Sequence, residues 1–145
     1  MKISIEQRTT TLPDGDYWIG DPCYVLGHMN DVDWRDLLKE TGMLGLEDLE
    51  GQTYPRNKQH GVFKLGGHLI AVSSTAYGDG CYQDQEFNRY PVDAGMLSAI
   101  PMDFIKEYEG DYDLDLGATH VLVGAKVKYV KGTISFGDVS IKTGH

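Results

Sequence analysis

Positive charge is scarce in this chain: 13 Lys and Arg stand against 22 Asp and Glu, a formal net charge of −9. Binding to a phosphate backbone draws on Lys/Arg clusters that release counterions, and no such cluster occurs, so no nucleic-acid partner is expected. Long apolar runs are missing as well. No stretch approaches the about 18 residues of a membrane span, and the opening MKISIEQRTTTLPDG lacks the roughly 7–15-residue apolar core of a signal peptide. No membrane partner is expected, and the chain is assigned to the cytoplasm. Cysteine occurs only twice, at Cys23 and Cys81, too far apart for any C-x-x-C zinc or redox template. In a reducing compartment both are expected as free thiols. H-x-x-x-H, G-x-S-x-G and phosphate-loop signatures are absent, so neither a cofactor nor a resident metal is assigned.

What is present is turn chemistry. With 145 residues and 41% apolar content, the chain fits one domain, residues 1–145, with a real core. Its 18 Gly and 5 Pro separate short β-rich runs, the cadence of an antiparallel β-protein. KISIEQ and the segment around Tyr17-Trp18-Ile19 flank the turn Leu12-Pro13-Asp14-Gly15. Residues 61–65 and 68–74 around Gly66-Gly67 give the strongest hairpin signal. Residues 83–88 read as a hairpin loop before Arg89–Asp93, residues 95–101 as a buried strand, and Met102 to Tyr108 as a short helix. Further strands follow from Thr119 to Ile141. The fold class is α+β, mainly antiparallel β, a barrel or two-sheet sandwich of roughly eight strands. One clear helix is expected around residues 31–41, with Trp34, Leu37 and Leu38 on one face and Gly42 as its stop. Residues 43–60, lacking a clear pattern, are expected to form a loop.

GDPCY at residues 20–24 returns as GDGCY at residues 78–82, and the two copies hold both cysteines. Gly tolerates positive φ and Asp bonds its own backbone two residues on, so each copy reads as a tight turn at the start of a strand. Two such turns at one end of a small β-fold would bring Asp21 and Asp79 together, with Asp93 of the VDAG segment as third member. Tyr17, Trp18, Tyr24, Tyr77, Tyr82 and Tyr90 flank these turns, combining apolar faces with polar tips suited to a pocket rim or an interface.

Taken in order, GDPCYV, TAYGDGCY and YPVDAGMLSAIP resemble a family of small bacteriophage and bacterial proteins with YWIGDPCY-like, TAYGDGxY and VDAG segments. The resemblance covers about residues 17–26 and 74–101, and implies a shared β-rich fold and a phage origin, in which case the cytoplasm is that of the host cell. It implies no particular chemistry.

Three chemical readings compete with plain turns. Cys23 or Cys81 would act as a nucleophile if one of His28, His60, His68 or His120 lay beside it. Asp21, Asp79 and Asp93 would hold a divalent metal for hydrolysis if they converged. The D-x-D-x-D run from Asp111 to Asp115 fails as a calcium loop, because Gly117 falls at the seventh position and Leu122 stands at the twelfth, where a Glu is needed. The reading adopted is a non-enzymatic, phage-type binding protein that captures a host or defence protein, or a small polar ligand, through Asp21, Tyr24, Tyr77, Asp79, Tyr82 and Asp93. A small hydrolase using the Asp cluster or a Cys/His pair is the alternative. Exposed strand edges would also let the chain pair as a homo-oligomer.

Overall fold

The computed structural model describes residues 3–5, 11–30, 33, 60–76, 78–130 and 132–143. Apart from Asp33 and His60, the helix expected around 31–41 and the loop of 43–60 lie outside the described residues, as does Tyr77.

A six-stranded antiparallel sheet organises the chain. Its strands are β1 (Ile3–Ile5), β2 (Gly15–Gly20), β3 (His60–Leu65), β4 (His68–Ser74), β7 (Met96–Pro101) and β8 (Gly117–Leu122), in the order β1-β3-β4-β7-β2-β8. Two smaller antiparallel sheets complete the described β-structure: the hairpin β5 (Gly80–Gln83) with β6 (Arg89–Val92), and the meander β9 (Val127–Val130), β10 (Thr133–Phe136) and β11 (Val139–Lys142). The helical elements are a single turn, α1 (Cys23–Leu26), the short α2 (Met102–Glu107) and a 3-10 turn (Leu114–Leu116).

The α+β class with dominant antiparallel strands is as expected. The barrel alternative is not formed, and the strands are shorter and more numerous than the expected eight, because turns at Gly124, Gly132 and Gly137-Asp138 cut the C-terminal part into the four-residue strands β9, β10 and β11. Strand alternation gives the large sheet two buried faces. Along β2, Trp18 enters one core with Phe63, Ile70, Val72, Ile100 and Phe104, while Tyr17 and Ile19 enter the other with Tyr90, Leu97, Ala99, Ile134 and Phe136. α1 and α2 cover the first face, and the two small sheets cover the second. This double covering explains why LIAV reads as an unbroken apolar run and MLSAIP as one interrupted only by Ser98, whose hydroxyl donates to the Gly20 carbonyl. Each fully buried Ile or Leu there contributes about 1.5–3 kcal/mol.

α2 starts where Pro101 ends β7, with Asp103 in its first turn and Lys106 in its last, both favourable to the helix dipole. No helix among the described residues is long and apolar enough to cross a membrane.

Candidate functional site

The first GDxCY copy does not start a strand. Gly20 ends β2, Pro22 takes φ −62° and ψ −21°, and Cys23 and Tyr24 wind into α1. Proline's fixed φ is already helical, so the chain turns inward here. Gly20 is required for a different reason: the Trp18 indole lies across it and across its pairing partner Gly117, where a β-carbon would collide with the ring. The indole Nε1–H donates to the Leu114 carbonyl at 2.9 Å, which fixes the ring in that position.

Asp21 is fully buried. Its Oδ1 accepts the Cys23 N–H at 2.9 Å, and its Oδ2 accepts the N–H groups of Asp93 at 2.8 Å and Ala94 at 2.6 Å. The Tyr24 hydroxyl, also buried, donates to Asp93 Oδ2 at 2.9 Å. GDPCY therefore clamps onto VDAG, as the sequence suggested for Asp21 and Asp93, but the clamp is internal and made with backbone N–H groups. Burial pushes the Asp21 carboxyl above the usual carboxylate range, and the N–H donors offset only part of that. Burial, with Asp21 and Asp93 nearby, pushes the Cys23 thiol up and keeps it protonated, the opposite of what a nucleophile needs. Burial and the bond to Asp93 likewise raise the Tyr24 hydroxyl.

The second copy is built differently. Gly78 has φ 75°, a conformation open to glycine, and Gly80 then continues as β5 with Cys81 and Tyr82. The expected equivalence of the two turns is thus corrected: proline at the third position makes one a helix start, and glycine makes the other a strand start. Thr75 links the second copy to VDAG, its N–H donating to Gly95 O at 3.0 Å and its hydroxyl to Gly78 O at 2.7 Å. The Tyr82 hydroxyl donates to the same Gly78 carbonyl at 2.9 Å. Asp79 is exposed, and among the described residues no hydrogen bond or ion pair joins it to Asp21 or Asp93. Asp21 meets the backbone of Asp93, but among the described residues no group of three His, Cys, Asp or Glu is arranged to hold a metal ion, so Asp21, Asp79 and Asp93 do not form a metal cluster.

Among the described residues, no hydrogen bond or ion pair joins His28, His68 or His120 to a cysteine. His28 approaches Asp113 at 3.7 Å, His68 bonds Glu107, and His120 bonds Tyr90. The Asp-rich run from Asp111 packs against α1 through Asp113 N–H to Tyr24 O and Asp111 N–H to His28 O, alternating exposed with half-buried residues. With its 3-10 turn at Leu114–Leu116, it bridges α1 and β8.

The β5–β6 hairpin presents a group of exposed side chains. Gln83 pairs with Arg89 and Tyr82 with Tyr90, so Cys81, Gln83 and Arg89 face outward while Tyr90 and Val92 face the core. Asp84 anchors the connecting loop. Its Oδ1 accepts the N–H groups of Glu86 and Asn88, and its Oδ2 accepts Asn88 Nδ2 at 2.9 Å and the Tyr90 hydroxyl at 2.6 Å. Because that hydroxyl proton points at Asp84, His120 Nε2, 2.9 Å away, donates to Tyr90. Burial alone would raise the Asp84 carboxyl, but these bonds hold it below the usual range; burial and Asp84 push the Tyr90 hydroxyl up. Gln85 fastens the loop to the meander, accepting the Ser140 N–H at 2.9 Å and donating to the Asp138 carbonyl.

Phe87, at the loop tip, is 76% exposed and has φ 66°, the one positive φ found outside glycine among the described residues. Beside it runs an open groove of about 580 Å³ lined by Cys81, Tyr82, Gln83, Arg89 and Lys142. Of the residues singled out in the sequence, Tyr82, from the expected binding set, and Cys81, a candidate nucleophile, line this groove. Phe87, Arg89 and Lys142 were missed, and the available signal was an aromatic in DQEFN at a loop position where Gly or Asn is usual.

No protein-family model matches the chain, and searches of curated proteins and of solved structures return no match.

Proposed function

We propose that the protein is a non-enzymatic binding module that captures another protein through the β5–β6 hairpin, with Phe87 as its anchor. The observation that carries this is the conformation of Phe87. A bulky residue in the left-handed region costs about 1–2 kcal/mol, and solvent exposure of the ring recovers little of it from packing. Folding alone does not call for a phenylalanine there, whereas an interface anchor does. The loop beneath it is held by Asp84 and Gln85, so the ring is presented on a rigid platform with little ordering left to do on binding. The internal clamp of Asp21 and Tyr24 on VDAG supports that platform from within. The similarity of the three motifs to small phage proteins makes a host or defence protein the partner class to examine first.

The test is site-specific photo-crosslinking in bacterial cells, with benzoylphenylalanine placed at position 87 and, as control, at the exposed position 103. A discrete crosslinked partner at position 87, lost from a pull-down by Phe87→Asn, is the expected result. Equal crosslinking at both positions, or none at 87, would reject the hairpin as the capture surface.

A further inference from the structure

The groove beside Phe87 has a charge opposite to that of the chain that carries it. Arg89 is the one arginine among the described residues, and it lines the groove together with Lys142 on the adjoining β11. Both are exposed. The groove's own carboxylate, Asp84, is turned inward, with both oxygens occupied by the N–H groups of Glu86 and Asn88, the Asn88 amide and the Tyr90 hydroxyl. The remaining lining is neutral: Cys81, Tyr82, Gln83 and the Phe87 ring. A second concavity, of about 340 Å³, shows the contrast, since it is bordered by Asp14, Asp16 and Asp103 with Lys64 as its cation. In a chain of net charge −9, two cations that make no ion pair among the described residues, set against the single inward-turned carboxylate of Asp84, flank an exposed aromatic and form a local site for negative charge.

Resting on the hairpin reading above, we infer that the groove accepts an acidic peptide segment of the partner protein, its carboxylates on Arg89 and Lys142 and an apolar side chain against Phe87. The mixture of cationic, aromatic and amide side chains favours a peptide over a free anion. A small anion would use the cations and leave the aromatic and the Gln83 side chain without a role. Gln83, on the outward face of β5, supplies a neutral donor and acceptor for the segment's backbone. A long phosphate backbone is disfavoured by the chain's overall charge, since only two cations are grouped here.

NMR titration of the 15N-labelled full chain tests this. The probes are acetyl-EELEELEE-amide, the same peptide with Gln for every Glu, and a ten-nucleotide oligothymidylate, each taken to millimolar concentration. The expected result is that the Glu peptide shifts the amides of Gln83, Phe87, Arg89 and Lys142 and binds about fivefold or more tightly than its Gln counterpart, as two solvated ion pairs would give. The preference should shrink between 50 and 300 mM salt and vanish in Arg89→Gln/Lys142→Gln, whose spectrum elsewhere stays unchanged. Equal binding of the Glu and Gln peptides would overturn the acidic-segment assignment while leaving an apolar capture by Phe87 in place. Tighter binding of the oligothymidylate would replace it with a phosphate ligand, and silence of the groove toward all three probes would also overturn it. Crosslinking at position 87 judges the hairpin reading separately in every case.

Discussion

Replacing Asp21 by alanine should be among the most damaging single changes available to this protein. The substitution removes a fully buried carboxylate that accepts three partly buried bonds, from the backbone N–H groups of Cys23, Asp93 and Ala94. Leaving a buried donor unpaired costs about 1–3 kcal/mol, so three unpaired donors set an upper bound of about 9 kcal/mol. Removing the carboxylate also relieves its own burial cost, and a water entering the vacated space would serve one or two donors, which brings the expected loss to about 3–5 kcal/mol. Against a total stability of about 5–15 kcal/mol for a domain, that is a large fraction. Asp21→Asn keeps the shape and one acceptor oxygen. Turned toward Asp93 and Ala94, it leaves its amide facing the Cys23 N–H, a donor against a donor, and about 2 kcal/mol is lost. Urea unfolding followed by fluorescence reads both, since Trp18 is completely buried against the same clamp. Asp79→Ala, at an exposed carboxylate, is the control and should stay within about 0.5 kcal/mol of the parent. If Asp21→Asn and Asp79→Ala were equally mild, the clamp would not be holding the two motifs together.

Two further outcomes follow from the geometry. Gly20→Ala should destabilise by about 1–3 kcal/mol in the same unfolding assay, because the new methyl meets the Trp18 indole and the ring is held by its bond to Leu114. Acid should weaken the protein through Asp84: its carboxyl is held below the unfolded value of about 3.9, so its contribution is complete above that pH and lost as pH falls through the lower folded value. Unfolding midpoints measured from pH 5 downward should therefore fall less steeply in Asp84→Asn. Asp21, whose carboxyl is raised, works with the opposite sign: its linkage contribution is present below the unfolded value and lost as pH rises through the folded one.

Turn residues made much of the fold legible in the sequence. Gly66-Gly67 marked the β3–β4 hairpin, the stretch before Pro101 marked β7, and the residues after it marked α2. The largely apolar runs within β4 and β7 indicated burial without saying what buried them; the answer was small sheets on one face and short helices on the other. At the candidate site, repetition of GDxCY suggested equivalent turns, yet the third residue decides the backbone. Pro22 starts a helix, and Gly80 leaves the chain free to extend. Proximity of Asp21 to VDAG was legible as an attraction between motifs. Its basis was not, because the partners of Asp21 are the N–H groups of Asp93 and Ala94, and backbone groups leave no mark in composition. The Asp84, Tyr90 and His120 cluster stayed hidden for a related reason: it depends on the bridge between Asp84 and Ile141 and on the pairing of β8 with β2, both contacts between distant segments.

The central claim is that Phe87 is kept at the hairpin tip for binding at some expense to folding. The unfolding free energy of Phe87→Asn tests it most directly, since asparagine tolerates a φ near 66° and gives up only an exposed ring. The account predicts a variant more stable than the parent by about 0.5–1 kcal/mol. A variant less stable by 1 kcal/mol or more would make Phe87 a packing residue and contradict the account.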